Sequence, residues 1–202
     1  SATAFGTRPD VSLYDHSKAV AALAVALWRY YHENETSGDD VADNLKTGKD
    51  REEQKFLLVQ GDFTGIQDFI FAAGAETSRR AAKTLRGRSL YVSLITECAA
   101  LRVLEELSLP PTSQIVNAAG KFLIVAPNTA GTTAALETLR EEFDRWFLEH
   151  TYGVSGVVLA STPASSRDFM RGGEGGTSPF ARLMETLFDD LEERKLSRFN
   201  LC

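Results

Sequence analysis

Apolar residues recur along this chain in two rhythms, short unbroken runs and spacings of three and four, and the switch from one to the other marks the elements. The run Phe56 to Val59 has the composition of a buried strand and stops at the polar Gln60-Gly61-Asp62. A helix is predicted directly afterwards, where Thr64 with Gln67 has the form of a capping box and Ile66, Phe69, Ile70 and Ala73 share one face. Upstream, Val20, Leu23, Ala24, Leu27, Trp28 and Tyr31 give an amphipathic helix with a wide apolar face. Downstream, the spacing predicts a helix over about 88–107 with Leu90, Leu94, Cys98, Leu101 and Leu104 as its inward stripe, ended by Pro110-Pro111. Strands over 114–117 and 121–126 flank Ala118-Ala119-Gly120, a hairpin with a small, bare tip. A helix over 130–149 carries Leu136, Leu139, Phe143 and Phe147, and a strand follows over 154–160. The Ser- and Gly-rich stretch 161–177 reads as a loop. Ser178 then caps a last helix, with Pro179 at its first position and Phe180, Leu183, Met184, Leu187, Phe188 and Leu191 as its stripe.

The order β-α-α-β-β-α-β-α with a central hairpin predicts an α+β fold: a ferredoxin-like palm of the nucleotidyl cyclase or polymerase type, with an antiparallel sheet, helices on one face and a helical extension in front. Residues 33–54 have no aromatics and few apolar side chains, so they read as an acidic linker between a helical segment, 1–32, and the palm, 55–202. The fold alone does not separate a cyclase or polymerase palm from an RNA-binding module or a scaffold.

Composition narrows the class. The 202 residues are 43% hydrophobic and 25% charged, as in a soluble globular protein, and no apolar run approaches the roughly 20 residues of a membrane span. With nothing resembling a signal peptide, a cytoplasmic location is expected. Cys98 and Cys202 form no CxxC pair, which excludes a disulfide framework or a complete zinc site, and Cys98 is expected in the core. A chain that starts at Ser1 and stops at Cys202 directly after a charged stretch looks like a piece of a longer protein. The net charge of -6 is uneven: residues 33–54 hold eight acids against Lys46, Lys49 and Arg51, whereas Arg79, Arg80, Lys83, Arg86 and Arg88 stand together without an acid. That basic cluster suggests a polyanionic partner.

The candidate chemistry gathers at 61–67. Gly61 and Gly65 flank a tight turn where backbone could approach a ligand, and the helix start behind them suits an anion. Asp62 stands where a carboxylate could hold Mg²⁺ together with substrate phosphates, or simply cap the turn. The only histidines are His16, His32 and His150. Asp15 and His16, at a helix start, have the place of a helix cap. His32 and His150 stand near helix ends, as dipole partners.

Three motifs in order, GDFTGIQDFIF (61–71), KTLRGRSLYVSLITE (83–97) and NAAGKFLIVAP (117–127), resemble the first palm of the large subunit of type III CRISPR-Cas effector complexes, the Csm/Cmr family. SLYDHSK (12–18) is similar to the end of that subunit's N-terminal HD nuclease domain. With no His-Asp pair in that order the nuclease centre is not written here, and the resemblance leaves Asp15 and His16 as either a remnant that completes one in the intact protein or a helix cap. The resemblance implies a subunit with an HD domain that cuts single-stranded DNA and two palms that share ATP and convert it to cyclic oligoadenylates when target RNA is bound. Implied partners are the second palm, the other effector subunits, guide RNA and target RNA, and single-stranded DNA, with no membrane. At the hairpin, where the active palm has a GGDD sequence, Gly120 and Lys121 replace the acids. The resemblance therefore implies half a nucleotide site made of Gly61, Asp62, Phe63, Thr64, Gly65, Ile66, Gln67, Gly120 and Lys121, with Asp62 as a weak ligand of Mg or Mn shared with the second palm. The chain alone should be inactive. Two alternatives are a non-catalytic ferredoxin-like module that binds RNA or a neighbouring subunit, and a stand-alone diguanylate-type cyclase with a degenerate hairpin.

Overall fold

The computed structural model describes residues 11–71, 78–170 and 178–198. Two helices come first, α1 (Leu13–Glu33) and α2 (Gly38–Thr47). The palm follows as β1 (Phe56–Thr64), α3 (Ile66–Phe71), α4 (Ser78–Glu106), β2 (Gln114–Ala118), β3 (Lys121–Pro127), α5 (Ala130–Thr151), β4 (Gly156–Ala164) and α6 (Pro179–Leu196). The four strands form one antiparallel sheet in the order β2-β3-β1-β4.

Because side chains alternate across a strand, the sheet sorts its apolar residues into two cores. On one face Leu57, Val59, Phe63, Phe122, Ile124 and Leu159 pack against Ala100, Val103 and Leu104 of α4 and Leu136, Leu139, Phe143 and Phe147 of α5. On the other, Phe56, Leu58, Leu123, Val125, Val158 and Ala160 meet Ala22 and Ala26 of α1 and Leu183, Leu187 and Leu191 of α6. The ferredoxin-like palm has its own helix pair, α4 and α5, on one face as expected, and the structure adds a second layer in which the extension α1 joins α6. Central β1 is buried on both sides, which is why it begins as an unbroken apolar run.

Several local expectations change. β1 does not stop at Gln60-Gly61-Asp62 but continues to Thr64. Gly61 lies opposite Phe122 in the ladder, and a Cβ on it would come within 2.1 Å of the Phe122 ring, so this glycine seats an aromatic side chain in the core. The capping box does not form. The Thr64 hydroxyl donates to the Gly156 carbonyl (3.4 Å) and accepts from Arg198, and Gly65 (φ 75°) turns the chain into α3. Ala73 and the GGEGG loop lie outside the described residues.

The stripe of α4 is also different. Leu90, Leu94 and Leu101 are exposed, as is Cys98, and the buried stripe runs through Val92, Thr96, Ala99, Ala100, Val103 and Leu104, with Leu107 buried just past the helix end. Smaller side chains let α4 lie close to the sheet, so the leucine stripe faces away. In α1, Val20 and Trp28 likewise face outward while Ala22, Ala26 and Tyr31 are buried. In α6, Phe180 and Phe188 are exposed at the margins of the Leu183, Leu187 and Leu191 stripe.

The acidic stretch is not an unstructured linker. It contains α2, capped by Ser37, whose hydroxyl oxygen accepts from the Asp40 amide, and it is pinned to the palm by a buried cluster. Lys55 is 2% exposed, pairs with Asp50, and donates to the Asp50 carbonyl (3.0 Å), while the Tyr31 hydroxyl donates to the same carboxylate. Strand β4 extends to Ala164, into the expected loop. Its outer edge is covered: Arg140 Nε donates to the Leu159 carbonyl (3.1 Å), the Ser161 amide donates to Asp190 (3.4 Å), and Pro163, two residues on, has no N–H to leave open.

Candidate nucleotide site

At the end of β1, Asp62 sits directly opposite Lys121 of β3, and the two form a cross-strand ion pair of 2.8 Å. A second lysine reaches the same oxygen. Lys195, in the last turn of α6, lies 2.8 Å from Asp62 Oδ2 and also donates to Glu192 at 2.6 Å. Burial acts to lower the Lys195 pKa, but the hydrogen bonds to Asp62 and Glu192 outweigh it and the pKa is raised, so the ammonium stays charged. The Asp62 side chain is only 6% exposed.

These three groups border a cleft of about 390 Å³, completed by Phe63, Thr64, Gly65, Ile66, Gln67 and Ala119. Its rim is the β2–β3 turn, where Ala119 (φ 55°) and Gly120 (φ 80°) both take the left-handed conformation of a tight hairpin. The Gly120 carbonyl accepts from the Phe63 amide (2.8 Å), tying the turn to β1. Of the expected residues, Asp62, Phe63, Thr64, Gly65, Ile66, Gln67 and Lys121 come together at the cleft, and Gly61 does not. Of the turn residues, Ala119 lines the cleft, while Gly120 faces Ile66 and Val92. Phe63 offers backbone only, since its ring is buried against Phe69 and Phe147. The sequence reading missed Lys195, a basic residue at a helix end far along the chain.

Within the basic segment one arginine is held by a neighbouring element. Arg88 donates to the carbonyls of Phe69 and Ile70 at 3.0 Å each and closes the C-terminus of α3, and Arg86 bonds back to Ala82 in its own helix. Lys83 is exposed. The side chains of Arg79 and Arg80 lie outside the described residues. Ser12 caps α1: its hydroxyl oxygen accepts from the Asp15 amide (3.0 Å) and its hydroxyl donates to the Asp15 carboxylate (2.6 Å), while the His16 amide donates to the Ser12 carbonyl. His32 and His150 occupy the last turns of α1 and α5, stacked on Trp28 and Trp146. Among the described residues no group of three or more His, Cys, Asp or Glu could hold a metal ion. The described residues of the cleft do not fit Mg²⁺ or Mn²⁺: the one carboxylate among them is buried and already engaged by two ammonium groups.

Residues 55–201 match the family model of Csm1 subunit domain B. The chain belongs to the Csm1 family, large subunits of type III CRISPR effectors. It is 35% identical, over 94% of its length, to the single-strand-specific deoxyribonuclease Cas10/Csm1 (subtype III-A) of Thermococcus onnurineus, of which it covers 23%. A Csm1–Csm4 cassette in complex with pppApA superposes with a TM-score of 0.78 at 34% identity, over 93% of this chain and 24% of that one. The cassette in complex with one ATP gives 0.74 at 34% identity, over 93% and 23%. The same cassette has been solved with cA4 and with AMPPNP. The chain thus spans about a quarter of the length of its Csm1 relatives.

Proposed function

We propose that this chain is the first palm of a type III effector large subunit and contributes half of an ATP site for cyclic oligoadenylate synthesis, the other half coming from a second palm. The observation that carries the reading is the cleft at the β2–β3 hairpin, with Lys121 at the hairpin position where an active palm keeps its acids. Phosphoryl transfer by two metals needs ions clamping the attacking and leaving oxygens, and a cleft with one engaged carboxylate cannot assemble them. Mg²⁺ or Mn²⁺ would then be held by the acids of the second palm. This chain would supply the turn at Gly65, the Ile66-Gln67 wall and the lysine charge that orient one nucleotide. Solved relatives that hold ATP, pppApA and cA4 support a site for adenine nucleotides. Single-strand DNA cleavage, for which the relatives are named, would reside in an HD core, with residues 1–32 as the tail of that domain and 33–54 as the connection to the palm. Csm4-type and other effector subunits, guide RNA and target RNA would be partners of the assembled complex.

The RNA-binding alternative finds less support. A sheet that reads bases needs aromatic side chains on an open face, and both faces here are covered by helices with Phe56 and Phe122 buried. The test is incubation with ATP and Mg²⁺. The chain alone should form no cyclic oligoadenylate, and a subunit containing both palms should form it. Product from the chain alone, or with GTP a cyclic dinucleotide, would overturn the half-site.

A further inference from the structure

The cleft holds one carboxylate between two ammonium groups, and this arrangement decides what Asp62 does in the site proposed above, on which the following inference rests. We propose that Lys195, delivered by the last turn of α6, contacts the phosphates of the bound nucleotide, and that Asp62 positions Lys195 and Lys121 as their shared counter-ion and ligates no metal.

Asp62 Oδ2 accepts from Lys121 Nζ and Lys195 Nζ, each at 2.8 Å. A divalent cation approaching that oxygen would meet two positive charges at contact distance, in a side chain that is almost closed to solvent. Mg²⁺ also prefers near-ideal octahedral oxygen coordination and gives up its water reluctantly. The lysines are more open than the carboxylate they share. Lys121 is 43% exposed and Lys195 24%, and both line the cleft. An ammonium carries three donors. Lys121 spends one on Asp62, and Lys195 spends one there and one on the exposed Glu192, so each keeps an N–H for an incoming phosphate.

The fold explains how Lys195 arrives. Leu187 and Leu191 are buried against the sheet, and Lys195 continues that same i, i+4 stripe one turn further, over the end of β1. A stripe that was apolar to this point becomes a cation where the sheet ends at the cleft. The carboxylate holds both long side chains in place before the nucleotide binds, which lowers the ordering cost of binding.

The experiment uses the full-length subunit with both palms, titrated with ATP and with adenosine in Mg²⁺. Lys195→Gln should weaken ATP about tenfold, the scale of one lost hydrogen bond to a charged group, and leave adenosine unchanged. Lys195→Arg should restore most of the affinity. Asp62→Asn should leave the Mg²⁺ concentration for half-maximal ATP binding where it is. Equal losses for ATP and adenosine in Lys195→Gln, or no loss at all, would overturn the phosphate contact. A tenfold or larger rise in the Mg²⁺ requirement of Asp62→Asn would make Asp62 a metal ligand after all. If the unmutated subunit binds no ATP, the nucleotide reading of the site fails and this inference with it, an outcome separate from the failures of the variants.

Discussion

Gly61, in β1 beside the cleft residue Asp62, and Ala119, on the cleft's rim, sit in opposite conformational situations. Gly61 has ordinary backbone angles but no room for a Cβ, because the fully buried Phe122 ring fills the space. Gly61→Ala should therefore cost about 1–3 kcal/mol by overpacking, measured by urea unfolding, and Phe122→Leu in the same chain should recover part of that loss. Ala119 has room but the wrong angles, since a left-handed φ of 55° penalises residues with a Cβ, Asn and Asp least among them. Ala119→Asn should stabilise by about 1 kcal/mol and raise Tm by a few degrees, because Asn tolerates this region and suits the first position of such a turn. At this scale the sequence was partly legible. Asp62 and Lys121 stand out because their motifs do, and the two face each other in the ladder. Lys195 could not be found that way, since only the packing of α6 on the sheet brings it to Asp62. Gly61 is visible as a glycine, but the ring that requires it belongs to another strand.

Among the elements, α4 shows how a helix with two apolar sides misleads. Leucines at 90, 94 and 101 outweigh the alanines and valines on any hydropathy count, yet the face carrying Ala99, Ala100 and Val103 is the one that packs. Val103→Ala should destabilise by about 1–2 kcal/mol, whereas Leu94→Ala should change the stability of this chain by less than about 0.5 kcal/mol. Thermal melts of the two variants distinguish the faces. The acidic stretch 33–54 is held by a different device, whose pH dependence can be worked out. Burial would raise the Asp50 pKa, but hydrogen bonds from Lys55 and Tyr31 outweigh it and the pKa is lowered. Its contribution to stability is then complete above the unfolded carboxylate value of about 4 and is lost as pH falls through the lower folded value. For Lys55, burial would lower the pKa, but the hydrogen bond to Asp50 wins and the pKa is raised. That contribution is complete below the ordinary lysine value of about 10.4 and is lost only as pH rises through the raised one. Asp50→Asn should cost about 3 kcal/mol at pH 7, the lower end for a broken buried pair, and the difference from the unmutated chain should shrink below pH 4. Urea unfolding at pH 7 and pH 3 measures both. Composition pointed to a linker here because the cluster is built from polar residues, and only Tyr31 and Lys55 on its flanks give it an inside.

For the whole molecule, the antiparallel palm was legible because strand and helix periods alternate in order, and the hairpin between β2 and β3 announces itself by its small residues. The two-sided covering was less legible, since α1 carries no mark that assigns it to the sheet's second face. That covering matters for function. The central strands are closed to a nucleic acid on both faces, and the proposed recognition is at the ends of the strands, where the Asp62, Lys121 and Lys195 cluster lies. In the proposed half-site, a cleft with lysine charge and no second acid among its described residues would hold one side of a nucleotide, and another domain would close it. Calorimetric titration of ATP with Mg²⁺ into this chain, alone and then mixed with the second palm of its subunit, tests the half-site most directly. Negligible heat alone and saturable binding with the second palm is the predicted result. Equal binding in both cases, or none with both palms present, would contradict it.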